Sequence, residues 1–149
     1  MTDQEDSVWP NSPPEVGERA ELSRTVEEED IEKFSEISGD FNPLHYDEEA
    51  AQHSGFGEIV VQGGITTAVL NGVVAEKLPG PGTVFLNVNW DFEAPVRPDD
   101  RITGIVEVID VREDKPIAEL DTKIVRQDDV VVLEGSAVCY QMDVNYDSD

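Results

Sequence analysis

The stretch Ile65-Thr66-Thr67-Ala68-Val69-Leu70-Asn71-Gly72-Val73-Val74-Ala75-Glu76-Lys77-Leu78, closed by Pro79-Gly80-Pro81-Gly82, decides how the rest of the chain must fold. Its apolar residues run nearly all round a helix rather than along one stripe, so most of its faces should be buried. The Pro-Gly pairs end that helix, and behind them the pattern changes to period two. Val84, Leu86, Val88, Trp90 and Phe92 would share one strand face, with Asn87, Asn89 and Asp91 on the other. Pro95 and Pro98 mark a loop. Strands are expected over 101–111, 117–126 and 130–142, separated by the polar turns 112–115 and 127–129. One helix that must be covered, followed by consecutive strands able to cover it, makes an α+β domain. Its expected form is a curved antiparallel sheet wrapped around one long central helix.

Working upstream, Gln62-Gly63-Gly64 leads directly into the helix. Backbone N–H groups at a helix start lack partners and the helix dipole favours negative charge there, so this end can stabilise a developing oxyanion. Alternatively the two glycines only permit a tight turn. Further back, 18–26 reads as a first strand. Thr25-x-x-Glu28 has the form of a capping box, and Ile31, Phe34 and Ile37 give the helix behind it one apolar stripe. Gly39 is a good stop for that helix. A short second helix is expected over 47–52, ended by Gly55.

Between these helices lies Gly39-Asp40-Phe41-Asn42-Pro43-Leu44-His45-Tyr46-Asp47, with one of only two histidines in the chain. On an unbroken helix, positions five apart sit about 140° around the axis, so Asp40 and His45 would diverge. Pro43 prevents that helix and pushes Asn42 towards an extended conformation. A bent loop can aim both side chains into one space, where an acid and an imidazole could share a proton or a water. Read locally, the alternative is that Asp40 caps a helix and His45 packs beside it.

Composition narrows the partners. Thirty-four acidic residues against ten basic ones give a formal charge of −24 over 149 residues. Such a surface repels nucleic-acid phosphates and anionic membranes. The carboxylates are spread along the whole chain, a distribution resembling that of proteins from extreme halophiles such as halophilic archaea. No apolar run approaches the roughly 20 residues that span a bilayer. Acidic residues stand at the N-terminus where a signal peptide would be basic, so a cytoplasmic location is expected. Lone Cys139 has no intramolecular disulfide partner and should be a buried strand residue. Residues 1–17 read as a flexible arm in which Trp9 could pack on the domain, 18–143 as the domain itself, and 144–149 as a frayed end.

With the loop, the glycine pair and the element order together, residues 20–142 resemble the MaoC-type hydratases, the (R)-specific enoyl-CoA hydratases of the hot dog fold. Ser38-Gly39-Asp40-Phe41-Asn42-Pro43-Leu44-His45-Tyr46-Asp47 is similar to that family's hydratase motif almost residue for residue. Gly63 falls at the family's spacing downstream, and Asp91-Phe92-Glu93-Ala94-Pro95-Val96 with Pro98-Asp99-Asp100 resembles its strand and loop after the helix. The resemblance implies reversible syn addition of water to a trans-2-enoyl-CoA, giving the (R)-3-hydroxyacyl-CoA. Asp40 and His45 would carry the chemistry, the Gly63 N–H would bind the thioester oxygen, and no metal or redox cofactor would be needed. Asn42, Gln62, Gly64, Asn71 and Val74 are the implied substrate-binding positions. Two of them depart from the family, which commonly has His-Gly-Met where this chain has Gln62-Gly63-Gly64. Gln62 cannot titrate and so should support structure rather than proton transfer. A polar Asn71 in the acyl tunnel would favour short to medium chains. The product could supply polyhydroxyalkanoate storage, or the reverse reaction lipid metabolism.

Three other readings compete. A metal enzyme using His45, His53, Asp40 and Asp47 lacks any compact zinc spacing. A dehydratase acting on acyl carrier protein, or on a branched acyl-CoA, shares the Asp and His; a strongly acidic surface favours CoA over an acidic carrier. A non-catalytic acyl-CoA-binding module would have no use for an intact Asp40/His45 pair. One sheet around one nearly all-apolar helix leaves edges and part of the helix uncovered, so a homodimer or dimer-based assembly is expected. The resemblance implies active sites at its interface.

Overall fold

The computed structural model describes residues 7–145. The opening of the expected N-terminal arm and residues 146–149 of the expected frayed end lie outside the described residues. Five strands make one antiparallel sheet, β1 (Arg19–Thr25), β2 (Thr83–Phe92), β3 (Arg101–Val111), β4 (Ile117–Arg126) and β5 (Val131–Gln141). The spatial order is β1-β3-β4-β5-β2, so β3 to β5 form a meander with β1 and β2 at the two edges. The helices are α1 (Glu28–Ser38), α2 (Glu48–His53) and α3 (Gly63–Glu76), with a 3₁₀ turn at Pro43–His45. Helix α3 is the expected central helix. It packs chiefly on β3 and β1 and buries Ile65, Val69, Leu70, Val73 and Val74 against Ile102, Val106, Leu120 and Ile124. This is the α+β hot dog arrangement. Helix and sheet approach closely at Gly104, where a Cβ would stand 2.9 Å from Val69 Cγ1 and 3.3 Å from Leu70 Cδ2.

Two sequence expectations need correction. The first concerns β2, whose pairing with β5 slips between Phe85 and Asn87, leaving Leu86 as an extra residue. A bulge flips everything on one side of it to the other face. Thr83 and Phe85, paired with Gln141 and Cys139, therefore share the helix-facing side with Val88, Trp90 and Phe92, while Val84 points the other way. The second concerns the start of α1. Thr25 is the last residue of β1 and Val26 N–H bonds to Asp100 O at 2.8 Å, so Thr25 cannot cap the helix. Its N-cap is Glu27, whose N–H donates to Asp30 Oδ2 at 2.8 Å. Asp30 is buried and ion-paired with Arg24 at 2.7 Å.

Of the expected arm, residues 7–17 are described, and Trp9 is buried with its Nε1–H donating to Arg112 O at 3.2 Å. Cys139 is fully buried on β5, and burial pushes its thiol pKa up to about 11.

Candidate active site

Local turn geometry brings Asp40 to His45. Gly39 ends α1 in the left-handed region at φ 80°, which a residue without Cβ adopts freely. Asp40 Oδ1 then accepts the Asn42 N–H at 3.1 Å, and Asn42 Oδ1 accepts the Leu44 N–H at 3.0 Å. These two local turns, with Pro43 opening the 3₁₀ segment, wrap the chain so that His45 Nε2 stands 3.6 Å from Asp40 Oδ2. The imidazole is buried and Asp40 is 39% exposed. His45 Nδ1 lies 2.6 Å from Val60 O. A carbonyl can only accept, so Nδ1 carries the proton and, in the neutral ring, Nε2 is left as a base facing the carboxylate. A separation of 3.6 Å is too long for a good direct hydrogen bond and suits a pair that shares a small polar guest.

Gly63 and Gly64 are the first two residues of α3, so both lie inside the helix's first turn rather than ahead of it. Gln62 is the N-cap and its side chain makes no capping bond. Among the described residues, the N–H groups of Gly63 and Gly64 have no hydrogen-bond partner. Gly63 and His45 line one cavity of about 340 Å³. Leu44, Val61, Thr66, Phe92 and Pro95 form much of its apolar wall. A second cavity, of about 500 Å³, also reaches His45 and is ringed by carboxylates, among them Glu28, Glu32, Glu48 and Asp99. Its one basic residue besides the imidazole, Arg97, is ion-paired with Glu58 at 2.6 Å.

The remaining sequence candidates divide. Asn42 shapes the loop through its own turn. Gly64 faces inward, where its Cβ would fall 2.1 Å from Phe34 Cζ, so the Phe34 ring fills the space a side chain would need. Gln62 is 1% exposed and bonded to protein groups rather than open to either cavity. Asn71 is exposed and Val74 lies in the core, and neither lines the cavity shared by His45 and Gly63 in the single chain. Thr66 and Phe92, not singled out in the sequence, do line it. Thr66 was legible in principle, being one turn along the same helix face from Gly63. His53 is exposed at the end of α2, and among the described residues no group of three or more His, Cys, Asp or Glu could hold a metal ion.

The family model described as MaoC like domain matches residues 11–131. The chain belongs to this MaoC-like family. Among curated members, the (R)-specific enoyl-CoA hydratase of Aeromonas caviae is 38% identical over 124 residues, covering 83% of this chain and 92% of that protein. The 3-hydroxybutyryl-CoA dehydratase of Methylorubrum extorquens is 35% identical over 124 residues, covering 83% and 78%. Among solved structures, the (R)-hydratase from A. caviae involved in PHA biosynthesis superposes with a TM-score of 0.82 at 36% identity, over 89% of this chain and all of that one. The MaoC-like fold thus extends over nearly all of the described chain. Among the described residues, no helix is long and apolar enough to cross a membrane.

Proposed function

We propose that this MaoC-like protein is an (R)-specific enoyl-CoA hydratase, a hydro-lyase that adds water reversibly and syn to a trans-2-enoyl-CoA to give the (R)-3-hydroxyacyl-CoA. The observation that carries the reading is the His45 ring, held by Val60 O so that Nε2 faces Asp40 Oδ2 at 3.6 Å, in a cavity that Gly63 at the start of α3 also lines. Asp40 and His45 hold one water between them. His45 Nε2 takes a proton as the oxygen adds to C3, and the carboxylate orients the water and stabilises the imidazolium. The charge that develops on the thioester oxygen is received by the Gly63 N–H at the positive end of α3. The pair then returns one proton to C2 on the same face, so atoms and charge balance with no cofactor.

The apolar cavity is at the small end of the roughly 300–1,000 Å³ typical of ligand pockets, which supports short to medium acyl chains. Asn71 gives that chain-length reading no support, since it stands away from the cavity. Coenzyme A is favoured over acyl carrier protein because the net charge of −24 opposes the docking of an acidic carrier protein. A homodimer is supported by β2, an edge strand that among the described residues pairs only with β5 and that carries Val84, Leu86, Val88 and Phe92 at 43–59% exposure.

The test is hydration of crotonyl-CoA in molar salt, following loss of enoyl absorbance and the chirality of the product. Turnover to the (R) product is expected. Inactivity of the intact protein, or an (S) product, would sink the assignment. Size-exclusion chromatography under the same conditions should give a dimer or a multiple of one; an active monomer contradicts the assembly.

A further inference from the structure

We propose that Ser35, Tyr46 and Gln62 form a hydrogen-bonded positioning unit, centred on the buried Ser35 and Gln62, that fixes Asp40, His45 and Gly63 relative to one another; this rests on the hydratase reading above. The Ser35 hydroxyl is the centre. It donates to Asp40 O at 2.7 Å, and contacts Tyr46 OH at 2.5 Å and Gln62 Nε2 at 3.0 Å. A serine hydroxyl has one proton and two lone pairs. With its proton on the Asp40 carbonyl, it accepts from both Tyr46 and Gln62, and its capacity is filled. The second Gln62 N–H donates to Ile31 O at 3.2 Å, with a longer contact to Asp40 O at 3.5 Å.

Each member is tied to one site group along the chain. Ser35 holds the backbone of Asp40 itself, Tyr46 follows His45, and Gln62 precedes Gly63. The three come from α1, the end of the 3₁₀ turn and the N-cap of α3, so one hydroxyl joins the three segments that must meet. Ser35 is fully buried and Gln62 nearly so, and neither lines a cavity that reaches His45. Ser35 and Gln62 therefore act through other residues, not on substrate, while Tyr46 also borders the carboxylate-ringed cavity that reaches His45.

The Gln62 amide supplies a second argument. Its Nε2 contacts include carbonyl oxygens, which fixes which end is the NH₂ group and leaves Oε1 buried without a hydrogen-bond partner. An apolar side chain of the same size would avoid that cost. What it could not supply is the pair of donors that joins α1 to the head of α3.

The experiment measures crotonyl-CoA hydration by Ser35→Ala, Gln62→Leu and their double variant, with folding checked by circular dichroism. A misplacement of about 1 Å can cost about 100-fold in rate, so kcat should fall about 10- to 100-fold while KM stays within about twofold. Because the residues act as one unit, the double variant should lose no more than the worse single one. A lowered Tm with kcat per folded molecule unchanged overturns the proposal. Should the buried variants fail to fold, Tyr46→Phe decides, since it deletes one oxygen from a residue 41% exposed. A several-fold fall in kcat at constant KM supports the unit, and an unchanged kcat refutes it. A crystal structure of Ser35→Ala or Tyr46→Phe tests the unit without any substrate: Asp40 Oδ2 should move away from His45 Nε2 relative to the present 3.6 Å. Unchanged geometry overturns the positioning role, whereas an inactive intact enzyme overturns only the hydratase reading.

Discussion

Replacing Gly64 by alanine sets two physical effects against each other. Helix propensity alone favours the change, because alanine is better than glycine by up to about 1 kcal/mol within a helix. Packing opposes it. The new Cβ would lie 2.1 Å from Phe34 Cζ, 2.3 Å from Cε1 and 3.1 Å from Cε2. Ordinary carbon contacts are about 3.5–4.0 Å, so the ring must shift by more than about 1 Å or α3 must lift at its first turn. Overpacking of this kind costs about 1–3 kcal/mol, which outweighs the propensity gain over most of its range. A net loss of about 1–2 kcal/mol corresponds to a Tm lower by about 2–8 °C at this chain length. Thermal unfolding in molar salt measures it. Phe34→Leu makes room, so in the double variant Gly64→Ala should cost about 1 kcal/mol less than it does alone. An unchanged or raised Tm for the single variant would show that Phe34 swings aside freely, and the steric account of the second glycine would be wrong.

Asp40→Asn and His45→Ala should each lower kcat by about 10²–10⁴-fold with unchanged circular dichroism, and near-full activity in either would remove the assigned roles. For Asp30, burial alone would raise its pKa, but hydrogen bonds from Arg24 and the Glu27 N–H hold it below its ordinary 3.8. A folded value below the unfolded one stabilises above the ordinary carboxylate range and is lost as pH falls through the folded value. Asp30→Asn should therefore cost about 1–3 kcal/mol at neutral pH, with the difference from wild type shrinking below about pH 4; a constant difference across that range contradicts this. Cys139, its thiol pushed up to about 11, should resist thiol reagents at about pH 8 in the native protein and react fully in guanidinium. Raising KCl from about 0.01 M to about 1 M shortens the screening length from about 30 Å to about 3 Å, so Tm should rise. A Tm independent of salt would count against halophilic adaptation.

The strands β3 and β4 were legible to the residue, because their alternation holds over most of their length, slipping only near Ile109 and after Ile124, and the turns beside them are polar. So was the Gly39 stop, whose left-handed φ only the backbone rule requires. Strand β2 was placed correctly but faced wrongly before Leu86, because a bulge leaves no mark in an apolar run. The α1 cap slipped from Thr25 to Glu27 since β1 keeps pairing to its last residue, a tertiary demand that a local motif does not contain. At the site, Asp40, Asn42 and His45 were legible because the turns that join them are local. The network of Ser35, Tyr46 and Gln62 was not. Its members meet across 11 and 27 residues of sequence, and each looks like an ordinary polar residue on its own segment.

Gly104 touches no part of the site, yet the missing side chain there sets how low α3 rides on β3. Adding even one methyl group would press on Val69 and Leu70 and raise the middle of the helix, tilting its first turn by leverage rather than by contact. The Gly63 N–H is fixed at that first turn, while Asp40 and His45 are fixed to a loop outside the helix. Alignment between the anion-receiving amide and the base thus depends on a thickness in the middle of the domain. Substitutions there should report as lost catalysis well before they report as lost fold.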